Sequence, residues 1–135
     1  MGLLTELFTA SAKDAVSYGP ESANRFASHR PGGLTNIEFS KLWAILQGAS
    51  WDIDRHDLPV VAESQDSWTF QLPEPFVAAL RSVSSDRVSG LASSWGQIEE
   101  LGVPGAQLEP VVQQLLTLAN RAGARQEGLF LWMSL

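Results

Sequence analysis

Leu129-Phe130-Leu131-Trp132-Met133-Ser134-Leu135 closes the chain, and six of these seven residues are apolar. A strand with one wet face alternates apolar with polar side chains. A short, nearly uninterrupted apolar run predicts instead a strand covered on both faces, and therefore a central one. Other stretches of the chain also read as strands. The residues Leu3 to Thr9 supply one candidate, with imperfect alternation. A second lies mid-chain, where Leu58 to Glu63 and Trp68 to Leu72 flank the polar connector Ser64-Gln65-Asp66-Ser67. That arrangement predicts an antiparallel hairpin. In its second arm Trp68, Phe70 and Leu72 share one face while Thr69 and Gln71 take the other. Alternation of this kind predicts one buried face and one solvated face.

Helices fill the intervals. Ser11 with Asp14 at capping-box spacing opens a short helix ending near Tyr18-Gly19-Pro20. Glu21 to Gly33 reads as loop, broken at Arg30-Pro31-Gly32-Gly33, with Phe26 as its anchor to the domain. Thr35-Asn36-Ile37-Glu38 forms a capping box, and Gly48 fits a left-handed stop, which predicts a helix from Asn36 to Gln47. Pro75 opens another, running to about Ser82. Val88, Leu91, Ala92, Trp95, Ile98 and Leu101 recur at helical steps from Ser84 or Ser85 onward, with Gly102 as the expected cap. A last helix is expected from Ala106 to Arg125. The predicted architecture is a single α+β domain over residues 1–135: a small, mostly antiparallel sheet of about four strands against four to five helices.

Composition supports this and narrows the function. At 135 residues with 44% apolar and 18% charged, the chain is outside the disordered class. A chain of this length buries roughly 68% of its unfolded surface, enough for a core without staples. The net charge is −6. Phosphate backbones repel such a surface, and the densest cationic stretch, Arg25 to Arg30 with His29, is too short for a nucleic-acid face. With no cysteine, disulfides, thiol nucleophiles and cysteine-based metal sites are excluded. Glu6 interrupts Leu3, Leu4, Leu7 and Phe8 with no preceding cation, so neither a leader nor a membrane segment is expected. The expectation is a cytoplasmic protein that engages neither membrane nor nucleic acid.

The chemistry-bearing residues concentrate in Trp51-Asp52-Ile53-Asp54-Arg55-His56-Asp57. Asp52, Asp54, His56 and Asp57 offer four donor side chains, and Glu63 stands twelfth counting from Asp52. This touches the calcium-loop pattern but departs from it at two positions. His56 replaces an oxygen ligand, and Asp57 stands where glycine is needed. A transition ion held by His56 and neighbouring carboxylates is the alternative metal reading. Whether the loop holds any metal stays open from sequence, and no cofactor is expected. The plainer reading is a solvated acidic loop facing a basic partner. Trp51, flanked by carboxylates, either grips a cation or packs against the preceding helix. Catalytic patterns are missing: there is no G-x-S-x-G elbow and no phosphate loop. Glu99 and Glu100, adjacent on a helix, do not face each other and read as solvated. No catalytic residue is assigned.

Leu7-Phe8-Thr9-Ala10, the stretch Leu34 to Leu46 and the closing Leu129-Phe130-Leu131-Trp132 resemble small acidic bacterial proteins of uncharacterised function. These are core and cap positions, so the resemblance brings no functional residue. The leading expectation is a protein-binding module (an inhibitor, an immunity-type protein or an adaptor) acting through the acidic surface near residues 52–66 on a basic partner. The competing one is an enzyme or a small-ligand or metal-binding protein with its site at the Asp52–Asp57 loop. A homo-oligomer is compatible with either.

Central placement of the last strand makes those residues structural. Deleting Leu129 to Leu135 is expected to abolish soluble, folded protein. Recovery of a truncated chain with a cooperative melt contradicts that placement.

Overall fold

The computed structural model describes residues 4–17, 28–29 and 34–134. Five strands form one antiparallel sheet: β1 (Leu4–Ala10), β2 (Ser28–His29), β3 (Val60–Glu63), β4 (Ser67–Leu72) and β5 (Gly128–Ser134). Their spatial order is β2-β1-β5-β4-β3. The closing apolar run is therefore the middle strand, paired with β1 from Leu4↔Ser134 to Ala10↔Gly128 and with β4 from Ser67↔Ser134 to Leu72↔Leu129. Four of the strands coincide with the expected ones. The two-residue β2 was not foreseen. It lies in the stretch expected to be loop, of which the anchor Phe26 and the cations Arg25 and Arg30 fall outside the described residues.

The helices are α1 (Ala12–Ala15), α2 (Asn36–Gln47), α3 (Ile53–His56), α4 (Glu74–Arg81), α5 (Val88–Gly96, entered through a 3-10 turn at Ser85–Arg87) and α6 (Gly105–Arg125). The architecture is α+β. At α2 the sequence signals are realised in full. The Thr35 hydroxyl accepts from the Ile37 N–H, and the Glu38 carboxylate accepts from the Thr35 N–H (3.3 Å) and from its hydroxyl. Gly48 takes the left-handed cap at φ 65°.

Helices α2, α4, α5 and α6 cover one face of the sheet, and the main core lies between them and Leu7, Phe70, Leu72, Leu129, Leu131 and Met133. Trp95 is fully buried here. Its indole N–H donates to the Glu38 carbonyl (2.8 Å) and its ring lies 5.5 Å from Phe39, which fixes α5 to the first turn of α2. The second face carries a smaller cluster in which Phe8 stacks on Phe130 at 5.5 Å beside Trp132, Ala10 and Ala15. This corrects the expectation of a solvated face at Thr69 and Gln71. Thr69 is buried and Gln71 half-buried, because they lie on the same side of the sheet as that aromatic cluster.

A second correction concerns α5, expected to run to Leu101 but ending at Gly96. The chain doubles back there: the Val103 N–H donates to the Gly96 carbonyl (2.9 Å), and a Cβ on Gly96 would stand 2.3 Å from the Val103 carbonyl oxygen. Ile98 and Leu101 still pack on the core, but from turns. Gly102 has φ 55° and closes the turn rather than a helix. α1 is also shorter than expected, stopping at Ala15.

Two glycines of α5 should therefore behave oppositely. Gly96→Ala forces backbone apart and is expected to cost about 2 kcal/mol or more. Gly90→Ala has open space and is expected to add up to about 1 kcal/mol by helix propensity alone. Chemical denaturation of the two variants measures the contrast, and equal effects contradict the doubled-back geometry.

Candidate functional site

The acidic segment begins where α2 ends. Its middle is not the loop expected from sequence: residues Ile53–His56 form one helical turn, α3, because the Asp52 carboxylate caps it by accepting from the Asp54 N–H (2.9 Å). Local capping by a short polar side chain thus outweighs the absence of any apolar periodicity. A single turn also fans its side chains outward in different directions.

His56 goes inward and is completely buried. Its Nδ1 lies 3.0 Å from the Asp52 main-chain nitrogen and 3.2 Å from the Asp52 carbonyl, and its Nε2 is hydrogen-bonded to Gln47 Oε1 at 2.8 Å. Its ring meets Trp43 edge-on at 5.3 Å, and Trp43 in turn stacks on Phe76 at 5.5 Å and 5°. Both ring nitrogens of His56 are used within the fold, so it is not presented to Asp54 or Asp57. Among the described residues no three His, Asp or Glu side chains stand together as a metal-holding group. His56 is a strut that binds the acidic segment to the last residue of α2.

Trp51 is a second strut. Its indole N–H donates to the buried Ser40 hydroxyl (2.9 Å), and the Lys41 ammonium lies 4.9 Å from its ring centroid. The cation beside this tryptophan is therefore the chain's own lysine. Lys41 also bonds Glu100 at 2.5 Å across a sequence separation of 59. Glu100, expected to be merely solvated, is held below the usual glutamate range by that hydrogen bond, with a backbone contribution.

Outside these struts, Asp52, Asp54, Asp57, Glu63 and Asp66 are all exposed, with Arg55 the one cation between Trp51 and Leu72. None of the five carboxylates joins a salt bridge among the described residues. Apolar groups are interleaved with them. Of the five large hydrophobic side chains exposed among the described residues, Trp51 (36%), Ile53 (55%) and Val60 (48%) fall in this one segment.

The hairpin adds a feature that the alternation rule hides. Val60 faces Phe70 and Glu63 faces Trp68, while only Ala62 is registered against Thr69, so a β-bulge occupies Val61-Ala62. The extra residue puts Val60 and Glu63 on the same face of the sheet although they are three apart. They join Trp68, Phe70, Met133 and Asn36 around a groove of about 370 Å³ at the sheet edge. The sequence places Glu63 both at the twelfth position of the calcium-like spacing and within the acidic surface near residues 52–66, but leaves Val60 and Trp68 out of the site. No protein-family model, curated protein or solved structure matches this chain.

A carboxylate stabilised in its charged form contributes to the fold above its unfolded pKa, and that contribution is lost as pH falls through the folded value. In an NMR titration of side-chain carboxyls, Glu100 is expected to protonate below the usual glutamate midpoint of about 4.3. Lys41→Met should return it to that range, and an unmoved midpoint contradicts the clasp.

Proposed function

We propose that the chain is a protein-binding module of the inhibitor, immunity-type or adaptor kind, whose acidic face at residues 52–66 docks a basic protein. One observation carries this reading: exposed carboxylates that join no salt bridge among the described residues alternate along residues 51–66 with Trp51, Ile53 and Val60, three large apolar side chains left exposed to water. A mixture of exposed apolar surface and a charged rim is how interfaces are built. The charge accelerates encounter with a basic surface, and the apolar groups supply the desolvation that holds it. The struts at His56 and Trp51 favour the same reading, because a segment already fixed loses little entropy on binding.

The fold also indicates which carboxylates to alter. Asp52 caps α3, so reversing it would disturb the fold. Asp54, Asp57 and Asp66 are exposed and bond nothing through their side chains among the described residues. The tagged chain and its Asp54→Lys, Asp57→Lys, Asp66→Lys variant are each used for affinity capture from lysate of the source cell. The expected result is one basic protein, near-stoichiometric with the unaltered chain, released by about 0.5 M salt and absent from the variant. Capture that survives both salt and charge reversal overturns the acidic-face reading, as does a blank with both chains.

A further inference from the structure

We propose that the groove at the β3 edge is a receptor for an arginine side chain of that basic partner. The inference rests on the acidic-face reading and names the side chain by which the partner engages it. The groove joins an apolar floor (Val60, Phe70 and Met133) to one aromatic ring, Trp68, and one carboxylate, Glu63. Glu63 and Trp68 are directly opposite each other on paired strands, in a pair whose side chains come close. An occupant matched to all of these has a long apolar stem and a flat cationic head. Arginine meets that description better than lysine. Its guanidinium stacks on aromatic faces, presents paired donors to a carboxylate and gives up its hydration more readily than an ammonium. The surroundings are complementary in charge, since Asp66 lies in the adjoining hairpin turn and Asp57 just before β3, both exposed and in no salt bridge among the described residues.

The same bulge argues against the other obvious occupant, a strand added to the sheet edge. The Gln71 N–H donates to the Pro59 carbonyl and the Ser64 N–H to the Ser67 carbonyl, both at 2.9 Å. Pro59 and Ser64 thus direct their bonds inward to β4, leaving Val60 and Glu63 with outward-facing main-chain groups. Those residues are three apart, whereas a regular added strand needs outward groups every second residue. The edge is out of register for main-chain pairing and open to side-chain insertion.

The test is an NMR titration of the full isotope-labelled chain with acetyl-Gly-Arg-Gly-amide, and with the same tripeptide carrying citrulline, the uncharged isostere. With the arginine peptide the Trp68 indole N–H and Met133 methyl resonances are expected to move saturably, at millimolar concentration. Citrulline should move neither. Glu63→Gln, an exposed position, should weaken the arginine peptide about fivefold, while Glu99→Gln, exposed and outside the acidic face, leaves its affinity at Trp68 unchanged. Shifts confined to residues 52–57, with Trp68 and Met133 still, overturn the groove while leaving the acidic face standing. Equal responses to arginine and citrulline overturn guanidinium recognition. So does silence throughout. A concentration-dependent dimer in sedimentation, abolished by Val60→Lys, assigns the edge to a second copy and likewise overturns the proposal.

Discussion

The hydrogen-bonded pairing of β5 with both β1 and β4 is the constraint from which the remaining structure follows. Leu4 of β1 pairs with Ser134 of β5, so the sheet cannot close until every element between them is available. Every helix described, α1 to α6, lies between them in sequence. Those helices cannot shield a sheet face that does not yet exist, and their apolar stripes must wait for β5. The pairing of β1 with β5 is as non-local as a 135-residue chain permits, a topology that favours slow folding. The compensation is double burial. Once in place, Leu129, Phe130, Leu131 and Trp132 are all buried, alternately in the main core and in the Phe8 cluster of the second face.

Helix α2 has the corresponding role for the acidic segment. It receives Trp95 at its first turn, Lys41–Glu100 and Trp51–Ser40 along its length, and His56 at its last residue. These contacts absorb the inward-facing polar groups of residues 51–56. With Asp52 spent on its own helical turn, the remaining carboxylates are exposed and join no salt bridge among the described residues. Their exposure is therefore a consequence of how completely the inner side is satisfied. A buried imidazole hydrogen-bonded at both nitrogens is a costly group to orphan, so these bonds hold the segment against α2.

Much of this fold was legible because its signals were local or periodic. The capping box at Thr35–Glu38, the Gly48 stop and the uninterrupted run at β5 each carry their own physical reason within a few residues. The failures are as instructive. The helical spacing of Ile98 and Leu101 predicts that α5 runs on to Leu101, but that spacing reports only which residues meet the core. The stop at Gly96 is set by the return of Val103, a contact no pattern announces. The solvated face assigned to Thr69 failed for a related reason: alternation distinguishes two faces without saying that a second cluster covers the other. In the candidate site, Asp52, Asp54, Asp57 and Glu63 are exposed as a solvated acidic loop should be. His56 and Trp51 belong to its support, since their partners Gln47 and Ser40 sit nine and eleven residues away with no spacing rule to connect them.

The β3 edge shows how one irregularity can serve two ends. An exposed edge strand is a standing template for aggregation, and a bulge is one of the usual defences. At Val61-Ala62 the bulge turns two consecutive residues toward the second face, where Val61 packs against the Phe8 cluster. It thereby releases Val60 and Glu63 to share the first face with Trp68 and Phe70. Without the extra residue, Val60 and Glu63 would fall on opposite faces, and the groove would lose either its carboxylate or its apolar wall. The feature that spoils main-chain pairing is thus the one that gathers a ring, a carboxylate and an apolar floor at the rim of the sheet. On the proposed reading, specificity there is for a side chain, because the backbone is out of register for anything else.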